Sequence, residues 1–68
     1  MNIHVGDRVK VVANGSFELP MVIEVRTGDI VLKRRKKKGK LTISKTKFYE
    51  LDKAFRGVKY ECTVTSKI

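Results

Sequence analysis

The chain has 68 residues, a formal net charge of +9 and a single cysteine, which points to one domain spanning residues 1–68 and excludes an intramolecular disulfide. One histidine beside one cysteine falls short of the four ligands of an ordinary zinc site. The opening "MNIHVGDRVK" lacks a signal-peptide apolar core, and no apolar run approaches the ~18 residues of a membrane span, so the chain reads as soluble and cytoplasmic.

Period-2 alternation of apolar and polar residues predicts strands along most of the chain. In "RVKVVA", Val9 and Val11 face one side and Arg8 and Lys10 the other. Asn14-Gly15 in "NGS" reads as a turn rather than a glycosylation site, and the stretch to Pro20 reads as irregular. "PMVIEVR" is expected to turn Met21, Ile23 and Val25 inward and Glu24 and Arg26 outward, with Val22 breaking the pattern. A tight turn at Gly28 leads to "DIVLKR", where Ile30 and Leu32 face inward. In "GKLTIS", Leu41 and Ile43 face inward, with Lys40 and Thr42 outward. The last strand, "VKYECTVT", places Val58, Tyr60, Cys62 and Val64 on one face and Lys59, Glu61, Thr63 and Thr65 on the other.

One segment departs from alternation. Phe48, Leu51 and Phe55 recur at i, i+3 and i+7, which predicts one or two helical turns from Lys47 to Arg56, with Thr46 as cap and Gly57 just past the end. The order β-β-β-β-α-β on so short a chain predicts a mainly β fold. The expected form is a small five-stranded SH3-like barrel with one short helix before the last strand, with an OB-like barrel as the alternative. Val9, Val11, Ile23, Val25, Leu32, Ile43, Tyr60 and Val64 form the expected core.

"VGDRVKVVANGSFELPMVIEV" resembles the opening of KOW and Tudor-type SH3-like barrels, through Gly6, Asp7, Val9, Val11, Gly15, Phe17, Val22 and Val25. The resemblance covers roughly the first third of the chain. It departs where KOW motifs keep further glycines after the aromatic, since Leu19 and Val22 stand near those places. It implies a small barrel that binds RNA, DNA or transcription proteins.

Charge is the chain's strongest functional signal. "KRRKKKGK", Lys33 to Lys40, has seven positive residues among eight. From Lys33 to Lys47 there are nine basic residues and no acidic one, whereas the rest of the chain has seven of each and is neutral. Charge confined to one window fits an anionic partner better than charge scattered for solubility. Lys33, Arg34, Arg35, Lys36, Lys37, Lys38, Lys40, Lys45 and Lys47 are therefore the candidate nucleic-acid contacts, with Tyr49 as the neighbouring aromatic able to stack on a base. Arg34 and Lys36 are expected on the inner side of the barrel rim, and Lys33, Arg35 and Lys37 on the outer side. The two arginines are the stronger phosphate ligands, because a guanidinium grips two oxygens at once. Phe48 belongs to the core.

Nothing in the sequence supports catalysis, a metal or another cofactor. The carboxylates are scattered, His4 lies near the terminus, and Cys62 reads as a small core hydrophobe. "GKLT" fails the phosphate-loop pattern, which needs Ser or Thr where Leu41 stands. The expected partner is nucleic acid, gripped through its phosphates with low sequence specificity because there is no recognition helix, and duplex DNA is preferred to RNA. The alternative is a module docking its basic face on an acidic protein such as a transcription-machinery component. A membrane partner lacks an amphipathic anchor.

Overall fold

The computed structural model describes residues 2–64. It is mainly β, as the alternation predicts, but has seven strands rather than five: β1 (Lys10–Ala13), β2 (Ser16–Glu18), β3 (Met21–Val25), β4 (Asp29–Lys33), β5 (Lys40–Ser44), β6 (Phe48–Phe55) and β7 (Val58–Val64). They form two sheets, ordered β2-β1-β7-β6 and β3-β4-β5, in place of one closed five-stranded barrel. All pairings are antiparallel except β1 with β7, which run parallel from Lys10↔Glu61 to Ala13↔Val64. The lead-in to β1 stitches the sheets together on one side. Val22 N–H donates to the Asp7 carbonyl (2.8 Å), Gly6 N–H to the Val22 carbonyl (2.9 Å), and Arg8 bridges to Met21.

The expected helix over 47–56 is absent. Only a 3₁₀ turn, Lys45–Lys47, precedes β6, and Ser44 rather than Thr46 caps it through its side-chain oxygen. The spacing of Phe48, Leu51 and Phe55 instead falls on a strand with an irregularity between Glu50 and Phe55. The residues from 51 to 54 displace the alternation and mimic a helical stripe. Gly57 is no helix end. Arg56 (φ 52°) and Gly57 (φ 82°) are the two central residues of a hairpin turn closing Phe55 onto Val58. Both sit in the left-handed region, the arrangement that matches the twist of antiparallel strands. Asn14 (φ 51°) and Gly15 (φ 79°) make the same turn between β1 and β2, so part of the stretch expected to be irregular is a second hairpin.

The core lies between the sheets and contains Val9, Val11, Val22, Ile30, Leu32, Ile43, Phe48 and Cys62, joined by Ile3 and by half-buried Leu41, Tyr60 and Val64. Full burial of a side chain such as Leu32 contributes about 1.5–3 kcal/mol. The expected faces hold for β1, β4, β5 and β7, but β3 is inverted. Val22 is wholly buried, Ile23 half-buried, and Met21 and Val25 are exposed. The register of β3 against β4 shifts between Val22 and Glu24. The extra residue is Ile23, and the bulge breaks the period-2 count that assigned Met21, Ile23 and Val25 to the core. Thr65, expected on the outer face of the last strand, lies outside the described residues. No helix among the described residues is long and apolar enough to cross a membrane.

Candidate nucleic-acid interface

β4 and β5 pair from Asp29↔Ser44 to Lys33↔Lys40, leaving residues 34–39 as the loop between them. Lys33 and Lys40 stand directly opposite one another, an arrangement of like charge that weakens a sheet. The loop holds Arg34, Arg35, Lys36, Lys37 and Lys38. Lys45 and Lys47 are not part of this patch. They lie past the far end of β5, five residues or roughly 17 Å of extended chain from Lys40, where Lys45 N–H donates to the Gly28 carbonyl. The basic window of the sequence is thus split between the two ends of one hairpin.

Arg34 has a different role from the free phosphate ligand expected of it. Its guanidinium forks onto Glu18, Nε donating to Oε1 (3.1 Å) and Nη2 to Oε2 (2.7 Å). The pair is partly shielded from water and ties the root of the basic loop to β2. Hydrogen bonding from Arg34 holds the Glu18 carboxyl below its ordinary range and raises Arg34 in turn, and Lys37 adds to the effect on Glu18. The expected sorting of the loop into inner and outer side chains also fails, because strand alternation ends at Lys33. Arg35, Lys36 and Lys37 together line an open cleft against Ser16, Phe17, Glu18 and Leu19, with Arg56 from the β6–β7 turn beside them. Among the described residues Lys33, Arg35, Lys36, Lys37, Lys38 and Lys40 make no ion pair; the four pairs present are His4–Asp7, Lys10–Glu61, Arg26–Glu24 and Arg34–Glu18.

The aromatic component of the cleft was not legible in the sequence. Tyr49 does not line it: its hydroxyl donates to the Glu61 carboxylate across β6 and β7. That bond raises the Tyr49 phenol and, with a smaller contribution from Lys10, lowers Glu61. The ring beside the basic loop is Phe17, 46% exposed. Phe55 packs against it edge-to-face, with centroids 5.4 Å apart and planes at 88°. The Lys10 ammonium lies 5.0 Å from the Phe17 centroid and 4.5 Å from that of Phe55, held from behind by Glu61 at 3.2 Å. Arg56 stands 5.3 Å from the Phe55 centroid. The one available signal was Asn14-Gly15: read as a two-residue hairpin turn, it sets Phe17 opposite Val12 on β1.

Among the described residues no group of three or more His, Cys, Asp or Glu side chains is placed to hold a metal ion. Comparison of the chain with protein-family models, with curated protein sequences and with solved structures returns no match.

Proposed function

We propose that the protein binds nucleic acid through its phosphate backbone, with low sequence specificity, and that the β4–β5 loop and its cleft are the contact surface. The observation that carries this reading is the set of unpaired cations, Arg35, Lys36, Lys37 and Lys38, on a loop whose base is anchored by the Arg34–Glu18 fork. A solvated loop tip has no need of such an anchor. Phosphate oxygens supply the counter-charge that the protein itself withholds, and Arg35 can bind two of them at once. The likeness of the first third to KOW and Tudor-type barrels is consistent with this reading, since their range covers RNA, DNA and transcription proteins alike. A role in regulating transcription belongs to the same reading.

The test replaces Arg35, Lys36, Lys37 and Lys38 together by Gln. The control removes equal charge elsewhere, at Lys45, Lys47, Lys53 and Lys59. In a gel shift with mixed duplex DNA and structured RNA, the loop variant loses most affinity and the control keeps most of it. Equal losses in the two variants refute the loop as the contact surface. Absence of binding by the wild type at low salt refutes the nucleic-acid reading and turns attention to an acidic protein partner.

A further inference from the structure

We infer that the cleft takes a single strand, with an unpaired base stacked on the Phe17 ring and the flanking phosphates on Arg35, Lys36, Lys37 and Arg56. The inference rests on the proposed nucleic-acid function and names the form of nucleic acid that the site accepts.

Three observations support it. Phe17 is nearly half exposed although it is a large apolar ring on a strand, and it lines a cleft shared with four cations, Arg35, Lys36, Lys37 and Arg56, and with Glu18, which Arg34 neutralises. Water is a poor neighbour for the exposed ring; the π-face of a base is a good one. Second, the ring is held before any ligand arrives, by Phe55 packed at right angles to it and by Lys10, which Glu61 anchors. A platform already fixed loses little freedom on stacking, so the contact is not spent on ordering it. Third, the cations come from two separate elements, the β4–β5 loop and the β6–β7 turn, and both line the cleft with Phe17. A strand lying in the cleft therefore has phosphate partners from both elements.

A duplex cannot use this ring. Its base faces are stacked on one another, and inserting a side chain between them requires unstacking. A single strand offers a π-face at every base whatever its identity, which agrees with low sequence specificity. The preference for duplex DNA drawn from sequence rested on a lysine-rich patch and on the small number of aromatics. Folding brings Phe17 and Phe55 to it from elsewhere in the chain.

The test measures fluorescence anisotropy of labelled oligo-dT, oligo-U and a mixed duplex at about 50 mM salt, where phosphate contacts are strong. Phe17→Leu keeps an apolar side chain against Phe55 but removes the π-face. It weakens single-strand binding by roughly 5- to 150-fold, the range of one lost stack, and leaves duplex binding within about twofold. Phe17→Tyr keeps the π-face and restores single-strand affinity. In the wild-type protein, photo-crosslinking with iodouridine in the strand marks Phe17. Binding of either oligo-dT or oligo-U with this pattern supports the inference. A wild type that binds single strands with Phe17→Leu unaffected, or with duplex binding lost equally, overturns the stacked base and leaves the phosphate reading standing. A wild type that binds no nucleic acid overturns both. A crosslink confined to residues outside the cleft overturns the inference even if Phe17→Leu fails to fold.

Discussion

Cys62 and Arg34 show how differently buried and half-buried polar atoms behave in so small a protein. Cys62 is fully buried in the core, and burial pushes its thiol up to about 11. The unfolded chain ionises this thiol near its ordinary value of about 8.5, so the native state is penalised only above that pH. Stability is therefore flat through neutrality and falls as the pH rises through the gap, by up to roughly 1.4 kcal/mol per unit. Cys62→Ala removes this alkaline slope, while a thiol reagent at neutral pH leaves the folded wild type unmodified; denaturation curves and mass spectrometry check the two outcomes. Arg34 and Glu18 titrate in the opposite sense. Because the Glu18 carboxyl is depressed, the fork is intact above the ordinary carboxylate value and is lost as the pH falls through the depressed one. Glu18→Gln should have the same effect at neutral pH, lowering NMR order parameters for Arg35 to Lys38. Glu24→Gln, which breaks the Arg26–Glu24 pair of 2.6 Å on another turn, should leave that loop unchanged.

Among the elements, the hairpin turns are the most informative. Asn14 adopts the left-handed conformation at little cost, but Arg56 does so against its steric preference, by about 1 kcal/mol. It is also a cleft residue, so the strain and the cation lie at the same position. Arg56→Asn should raise the unfolding free energy by about 0.5–1 kcal/mol and weaken oligonucleotide binding at the same time, as urea titration and anisotropy can measure. A variant that gains stability without losing affinity removes Arg56 from the site. This turn also explains why β6 was misread. An Arg-Gly pair keeps the glycine of such a turn but lacks the Asn, Asp or Gly that usually precedes it, and the irregular residues before it reproduce a helical spacing. β1, β5 and β7 were legible because one face is buried and the other wetter, and β4 because Ile30 and Leu32 fall on the core face, although Val31 between them is buried as well. β3 was not legible, because its bulge at Ile23 shifts the phase by one residue. The Arg34–Glu18 fork joins residues sixteen apart across two elements, which local patterning does not reveal. The crowding of basic residues between Lys33 and Lys47 was legible. Their division into one clamp, one loop and two outliers required the fold.

On the scale of the molecule, seven of the nine basic residues of the window lie at one end of the β4–β5 hairpin, and salt is the direct probe of what they do. With about five phosphates neutralised, log K against log salt has a slope of about −4.5 on duplex DNA and about −3.5 on single strands. Raising salt from about 50 to about 200 mM then weakens duplex binding ~500-fold and single-strand binding ~130-fold. The variant with Arg35, Lys36, Lys37 and Lys38 replaced keeps about one of the five contacts, so its slope should flatten to about −0.9 on duplex and about −0.7 on single strands by the same titration. A slope unchanged from the wild type means that the contacts lie elsewhere on the surface.

The parallel pairing of β1 with β7 bears on how the protein reaches this state. Lys10 to Ala13 find their partners at Glu61 to Val64, nearly the whole chain away. The β3-β4-β5 meander and the two tight hairpins can each form from neighbouring residues, but the four-stranded sheet closes only by joining its ends. The closing of so long a loop costs entropy before any contact repays it, and topologies dominated by such contacts fold slowly for their size. A ribosome-bound chain still lacking β7 would therefore hold β1 and β2 as an unsupported hairpin, with the cleft unassembled. Phe17 would have neither Phe55 nor an anchored Lys10 beside it, so the cleft proposed to bind nucleic acid is among the last features of the molecule to form.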